Sequence, residues 1–391
     1  MSNQPPAYRS GLLTGLLVGA LGGAVVAGLA IGLFSFFGGD EQSLADEATD
    51  VIEENYFRDP DPRKLGDDAV GGMVNELRKR YDDRFSHYFN PKALRQFEMQ
   101  TSGEFTGVGL GVIEAKDGLR VGQVYRDTPA KEAGIEVGDV IIAADGEDLK
   151  GLSAEAAAAK IKGPPGTEVT LTVRPRGGGK PEELDVERAA VRIPAADGRM
   201  ERVGGRQIAH VQLATFSEGA HSELREEIER LYRRGAEGLV LDLRGNGGGL
   251  LNEGVLTSSV FVEDGVIVAT EGRAKPRTEY EAVGDAIQPR PMAVLVDENS
   301  ASASEILTAA LDDYGLATVV GGRTYGKGTF QEVITLENGG ALDLTVGEYL
   351  TSKDISLAGK GIKPDVAAKD DPDTKPDEGL DKALDVVAGE L

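Results

Sequence analysis

Between residues 207 and 320 short apolar runs alternate with amphipathic ones, and few folds accept that order. Residues 207–213 read as a strand, 218–233 as a helix and 238–243 as a strand. A glycine-rich turn, Arg244-Gly245-Asn246-Gly247-Gly248-Gly249, leads into a helix through Val255. Residues 266–270 and 292–296 read as strands, a helix starts after Ser302, and residues 317–320 read as a further strand. Runs of four to eight apolar residues fit buried strands, and apolar residues at three- and four-residue spacing fit helices. Strands separated by helices predict an α/β core with parallel strands. Sites in such sheets gather beyond the strand C-terminal ends, where the glycine turn and the residues before Ser302 fall.

The segment Asn299-Ser300-Ala301-Ser302-Ala303-Ser304-Glu305-Ile306 joins an apolar strand to an apolar helix. The first N–H groups of a helix are unpaired and, with the helix dipole, favour negative charge. A serine at that corner has the setting of a nucleophile beside an oxyanion site. Ser302-x-x-Glu305 equally fits a capping box, which needs no catalysis. Both readings stand on these eight residues, and the choice among the three serines stays open.

Composition narrows the chemistry. The 391 residues suffice for two or three domains. They include no cysteine, which excludes thiol nucleophiles, disulfides and thiolate metal sites. Only His87, His210 and His221 supply imidazoles; the last two fall in a strand and at a helix start, as structural residues do, and no His-Glu-x-x-His occurs. The net charge of −24 argues against a nucleic-acid binder, which needs a basic face. Gly321-x4-Gly326-Lys327 falls one residue short of a phosphate loop, with Gly328 where a hydroxyl is needed and a strand-like run following instead of a helix. The Gly-x-Ser-x-Gly elbow is absent, as is a Ser-x-x-Lys pattern at Ser302. A lysine kept neutral by burial can serve as base. Lys327 lies in a glycine-lined turn after an apolar strand, and Gln331, four residues on, can bond its amine. A solvated turn lysine is the plainer alternative.

Residues 10–39 carry no charge. The core at 12–37 is long enough to span a bilayer. Arg9 before it and Asp40-Glu41 after it place residues 1–10 in the cytoplasm and the rest outside. An uncleaved anchor at 11–37 is favoured over a removed signal, whose cleavage would fall near Ser43-Leu44-Ala45. Gly11, Gly15, Gly19 and Gly23 fit the small-residue pattern of packed membrane helices, or simply the abundance of glycine there. Residues 41–102 read as a small helical segment, with helices at 44–56, 65–81 and 93–99 and a polar-aromatic turn at 82–91.

Residues 103–186 change character: short strands, one helix capped by Ser153, and many glycines. Gly107-x-Gly109-x-Gly111 is not the dinucleotide pattern and no helix follows it. Its N–H groups suit a nest for a peptide carboxylate, with the next strand pairing to the peptide. Asp127-Thr128-Pro129-Ala130-Lys131-Glu132-Ala133-Gly134-Ile135, with Gly138-Asp139-Val140-Ile141 and Asp145-Gly146, resembles a bacterial PDZ domain. PDZ domains bind free C-termini, so the resemblance implies a carboxylate loop at Thr106, Gly107, Val108, Gly109 and Leu110.

Ser300-Ala301-Ser302-Ala303-Ser304-Glu305-Ile306 and Thr324-Tyr325-Gly326-Lys327-Gly328-Thr329-Phe330-Gln331, joined to that module, resemble the C-terminal processing peptidases, or tail-specific proteases. Leu241-Asp242-Leu243-Arg244-Gly245-Asn246-Gly247-Gly248-Gly249 is similar to their Leu-Asp-Leu-Arg-x-Asn-x-Gly-Gly loop. Asp83-Arg84-Phe85-Ser86-His87-Tyr88-Phe89 is similar to their Asp-Pro-Tyr-Ser-x-Tyr segment, with Arg84 in place of proline. The family's serine–lysine spacing selects Ser302 from the three serines. The resemblance implies a crotonase- and Clp-like α/β peptidase core at 187–370, an inserted mainly-β PDZ domain and a tail or helix at 371–391. It implies Ser302 as nucleophile, Lys327 as general base and Gln331 orienting it. The N–H groups of Gly248 and Ala303 would form the oxyanion hole, without metal or organic cofactor. Lys162 falls where many members carry an arginine that senses the bound tail; an exposed helix-end lysine is the alternative. The implied partners are proteins or peptides with free apolar C-termini, and the membrane through the N-terminal helix. A homo-oligomer stays open. The implied function is processing of extracytoplasmic C-terminal tails; a catalytically silent PDZ adaptor or ligand-binding protein of the same fold is the alternative, opposed by the intact Ser302, Lys327 and Gln331.

Overall fold

A computed structural model describes residues 44–369 and 377–391. The uncharged run at 12–37 lies outside them; among the described residues no helix is long and apolar enough to cross a membrane. The chain divides into units at residues 1–73 and 74–391. In the first, the helix Leu44–Asn55 buries none of its side chains. The helix Pro62–Tyr81 begins there and ends in the second unit.

The second unit is built on a six-stranded sheet. Its order is Ala196–Val203, Arg206–Leu213, Gly238–Asp242, Met292–Val296, Thr318–Gly321 and Val366–Ala367. The first pair is antiparallel and every later pair parallel. Side chains alternate between faces along a strand. Leu239, Leu241 and Val294 therefore pack under the helices Ala220–Arg233 and Ala303–Asp313, with Leu224, Ile228 and Leu307. Val240, Ala293 and Leu295 face the opposite way, onto Leu380, Ala383, Leu384 and Val387 of the helix Glu378–Glu390. The C-terminal segment thus forms a layer of the core.

One strand departs from the reading of a single alternating core. Val266–Gly272 lies in a second, five-stranded sheet, antiparallel to Lys275–Glu281 and to Ala341–Thr351. Thr329–Thr335 and His87–Phe89 pair with Ala341–Thr351. Periodicity marks a residue run as a strand but not the sheet it joins. Here the loop Arg273-Ala274 turns the strand back as a hairpin. The long strand Ala341–Thr351 also lies outside that alternating core.

The PDZ-like module forms its own sheet, Leu110–Ala115, Gly118–Val124, Val140–Ala144, Glu168–Arg174 and Glu182–Glu187. Its core is Leu119, Val121, Ile141, Leu149 and Leu171, all buried. Ser153 caps the helix Ala154–Ile161, its Oγ accepting the Ala156 N–H at 3.3 Å. Two short strands, Glu104–Gly107 and Ala189–Arg192, pair where the chain enters and leaves the module.

Candidate active site

Three serines crowd the turn between Met292–Val296 and the helix Ala303–Asp313, and hydrogen bonding separates them. Ser300 Oγ donates to the Leu243 carbonyl at 2.8 Å, and Ser304 Oγ to the Asn246 carbonyl at 2.8 Å. Both are fully buried. Their hydroxyls tie the turn to the glycine loop. Ser302 is the helix N-cap residue, with φ 57° and ψ −115°, in the region that L residues avoid. Such conformations cost roughly 1–3 kcal/mol and persist where the surroundings over-determine them. The Ser302 side chain has no main-chain carbonyl partner and faces the hydroxyl of Tyr349. Burial pushes the Tyr349 phenol up to about 12, with the Ser302 hydroxyl acting in the opposite sense.

Glu305 holds this corner. Its side chain is fully buried and accepts the Ser302 N–H at 3.0 Å, and the Ser302 side chain faces the Glu305 N–H in return, so the anticipated capping box is present. The same carboxylate accepts Thr324 Oγ1 at 2.6 Å, the Gly326 N–H at 2.7 Å and the Lys327 N–H at 2.9 Å. Four donors compensate the cost of burying the charge. The sequence marks Glu305 only as a cap; its links to the lysine loop span 19 to 22 residues and leave no local signal.

Gly248 lies against the back of Ser302, at φ +99°. A Cβ there would sit 2.7 Å from the Ala301 oxygen and 2.8 Å from Ser302 Cβ, so only glycine permits the approach. Its N–H, expected at the oxyanion site, instead donates to Asn246 Oδ1 at 2.9 Å. The Ala303 N–H has no protein acceptor among the described residues.

Lys327 is half-buried, its Nζ 4.9 Å over the ring of Phe85. Burial holds its proton affinity below the ordinary lysine value; Asp343 and then Glu305 act in the opposite sense. The fingers of Gln331 point elsewhere than expected: Nε2 donates to Thr345 Oγ1 at 3.2 Å and Thr329 Oγ1 at 3.4 Å, not to Lys327. Thr345 Oγ1 in turn donates to Asp83 Oδ1 at 3.0 Å, and the Thr345 N–H to Ser86 Oγ at 3.0 Å. Burial alone would raise Asp83; hydrogen bonds from Ser86, Phe85 and Thr345 outweigh it and hold the carboxyl below its usual range. The segment quoted above for its family likeness therefore closes over the lysine.

The remaining expected residues lie apart from this corner. Val108 is buried, its oxygen accepting the Ala130 N–H at 2.8 Å. The N–H groups of Val108 and Gly109 have no protein acceptor among the described residues. Leu110 opens an edge strand whose second edge pairs with no strand among them. Thr106 and Gly107 belong to the short strand pair at the module's entrance. Lys162 is exposed at the end of the helix Ala154–Ile161. His210 Nε2 lies 3.1 Å from Asp242 Oδ2 and His221 Nδ1 2.8 Å from Glu253 Oε2, so both imidazoles are engaged with carboxylates.

The fold and site are those of a PDZ-bearing peptidase. The model of peptidase family S41 matches residues 207–368, and that of the PDZ domain residues 120–175. A carboxy-terminal-processing protease of Bartonella bacilliformis is 34% identical over 345 residues, covering 87% of this chain and 76% of that protein. The carboxy-terminal processing protease CtpA of Bacillus subtilis is 33% identical over 334 residues, covering 85% and 70%. The solved structure of a photosystem II D1 C-terminal processing protease is 29% identical, covers 90% of this chain and 98% of that one, and superposes with a TM-score of 0.52. The chain belongs to the C-terminal processing peptidases of family S41.

Proposed function

We propose that the chain is a serine endopeptidase that processes C-terminal tails of extracytoplasmic proteins, with Ser302 as nucleophile and Lys327 as general base. One observation carries the assignment: Ser300 and Ser304 donate their hydroxyls to main-chain carbonyls, while Ser302 is held in a strained conformation and donates its hydroxyl to no main-chain carbonyl. The half-buried Lys327 amine, depressed by desolvation, suits a base near neutral pH. Ser302 Oγ attacks the scissile carbonyl and its proton passes to Lys327 Nζ. The lysine then protonates the leaving amine, and water hydrolyses the acyl-enzyme by the reverse transfer. The free Ala303 N–H faces the oxyanion in this reading, and Gly248 joins it after leaving Asn246 Oδ1. Gln331 orients the amine on exchanging its threonine partners.

The module captures the substrate's C-terminus. Its free Val108 and Gly109 N–H groups receive the carboxylate, and the open edge of Leu110–Ala115 pairs with the tail. The uncharged run at 12–37 anchors the chain with its catalytic part outside the cytoplasm. The test is incubation of the detergent-solubilised full chain with a protein bearing a free apolar tail. Wild type should cleave it, unaffected by chelators, and Ser302→Ala should not. Equal cleavage by Ser302→Ala overturns the reading.

A further inference from the structure

We propose that Asp343 is the charge partner of Lys327, a positioning carboxylate that steers the amine and stabilises the ammonium formed when Ser302 gives up its proton. The proposal rests on the Ser302–Lys327 reading and adds a residue to it.

Asp343 lies on the strand Ala341–Thr351, opposite His87 on one side and Val333 on the other. Residues two apart on a strand share a face. Thr345 is two residues on, and its side chain joins Asp83 to Gln331, which fixes where this face points. Thr345 is bonded to Asp83 and Ser86, and between them in the chain Phe85 lies 4.9 Å from Lys327 Nζ, so this face belongs to the surroundings of the lysine. The charged groups around Asp343 are His87 from its neighbouring strand, Asp83 from the preceding turn and Lys327. Glu332, on the other flanking strand, is paired with Lys275 at 2.6 Å.

Two carboxylates act on Lys327, and they differ in what else they do. Glu305 is saturated by one hydroxyl and three N–H groups. Asp343 accepts no hydrogen bond from the protein among the described residues, so its charge is uncommitted. Burial raises its proton affinity, while His87 and Lys327 pull it down and Asp83 raises it. Of the two carboxylates it opposes the desolvation of Lys327 the more strongly. An opposite charge in a partly buried site favours the protonated amine. During acylation the amine gains a proton, so the same charge lowers the energy of that step. The role parallels that of a carboxylate behind a catalytic imidazole, acting here on an amine.

The experiment is the pH dependence of kcat/KM for Asp343→Asn. Removing the negative charge destabilises the ammonium, so the acid limb should move to lower pH, by about one unit. The alkaline plateau should fall roughly threefold or more, because the base is weaker and its ammonium unsupported. Asp343→Glu, which keeps the charge, should retain the wild-type limb. If Asp343→Asn does not fold, Asp343→Ser carries the same expectation. An acid limb that stays in place, or moves to higher pH, overturns the proposal. Lys327→Ala separates the two levels: an active Lys327→Ala enzyme defeats the dyad itself, whereas an inactive one with an unmoved limb in Asp343→Asn defeats only the role of Asp343.

Discussion

The main-chain N–H groups of Ser302 and Lys327 end on the same oxygen, Glu305 Oε2, at 3.0 and 2.9 Å. The proposed nucleophile and base are thereby held by one buried anion, although 25 residues separate them in the chain. A glutamine at this position presents an NH2 group toward donors on one side. Glu305→Gln should leave buried N–H groups unpaired, at roughly 1–3 kcal/mol each, and lower the melting temperature. Displacement of the reacting groups should cost about 100-fold in kcat. Thermal unfolding and peptidase assays check both; a variant with wild-type stability and rate contradicts this role.

Gly248 and Gly247 give a contrast within one loop. A Cβ at Gly248 meets Ala301, Ser302 and Ala303 at under 3.0 Å, and its φ of +99° disfavours any side chain; a Cβ at Gly247 meets nothing within 4 Å. Gly248→Ala should reduce kcat by about 100-fold through movement of Ser302. Gly247→Ala should stay near wild type. Similar kinetics for the two variants would show that the close approach is immaterial.

The open N–H groups of Val108 and Gly109 predict a dependence on the tail carboxylate. Amidating the substrate C-terminus removes the charge they would receive. Weakening of a charge-assisted hydrogen bond by roughly 1.5–3 kcal/mol corresponds to about 10- to 100-fold in KM. Steady-state kinetics on matched free and amidated tails decides it. Equal KM values remove the module from tail capture without touching the dyad.

Much of this was legible in the sequence for physical reasons. The strands Gly238–Asp242 and Met292–Val296 are buried on both faces, and therefore read as unbroken apolar runs. The serine corner at 300–304 stood out because it joins an apolar strand to an apolar helix, and Lys327 because it sits between turn glycines, Gly326 and Gly328. What stayed hidden depends on contacts distant in sequence. Glu305 looks like a helix cap until Thr324, Gly326 and Lys327 fold onto it. Asp83 and Thr345 are 262 residues apart and meet only through the second sheet. The strand Ala341–Thr351 did carry a signal in Leu342-Asp343-Leu344-Thr345-Val346, whose strict alternation marks a half-buried strand. Its pairing with His87–Phe89, Val266–Gly272 and Thr329–Thr335 carried none.

Burial of Lys327 sets the expected pH profile. Desolvation disfavours the ammonium, so its proton leaves at a lower pH than that of an exposed lysine. Only the neutral amine accepts the Ser302 proton. Activity should therefore rise with pH along a limb that lies below the ordinary lysine value, and flatten once the amine is neutral. A rate independent of pH from acid to alkaline solution is incompatible with lysine as base.

The most direct measurement is to locate the residue that becomes covalently modified by a serine-directed fluorophosphonate. The phosphonyl group should form a bond to Ser302 Oγ with loss of fluoride, and peptide mass spectrometry should find the adduct on the peptide containing Ser302 and fragment it to that residue. Labelling should quicken with pH along the same limb as peptide cleavage, and should fail in Lys327→Ala. An adduct on Ser300 or Ser304, or full peptidase activity in an enzyme whose Ser302 is quantitatively blocked, would contradict the account.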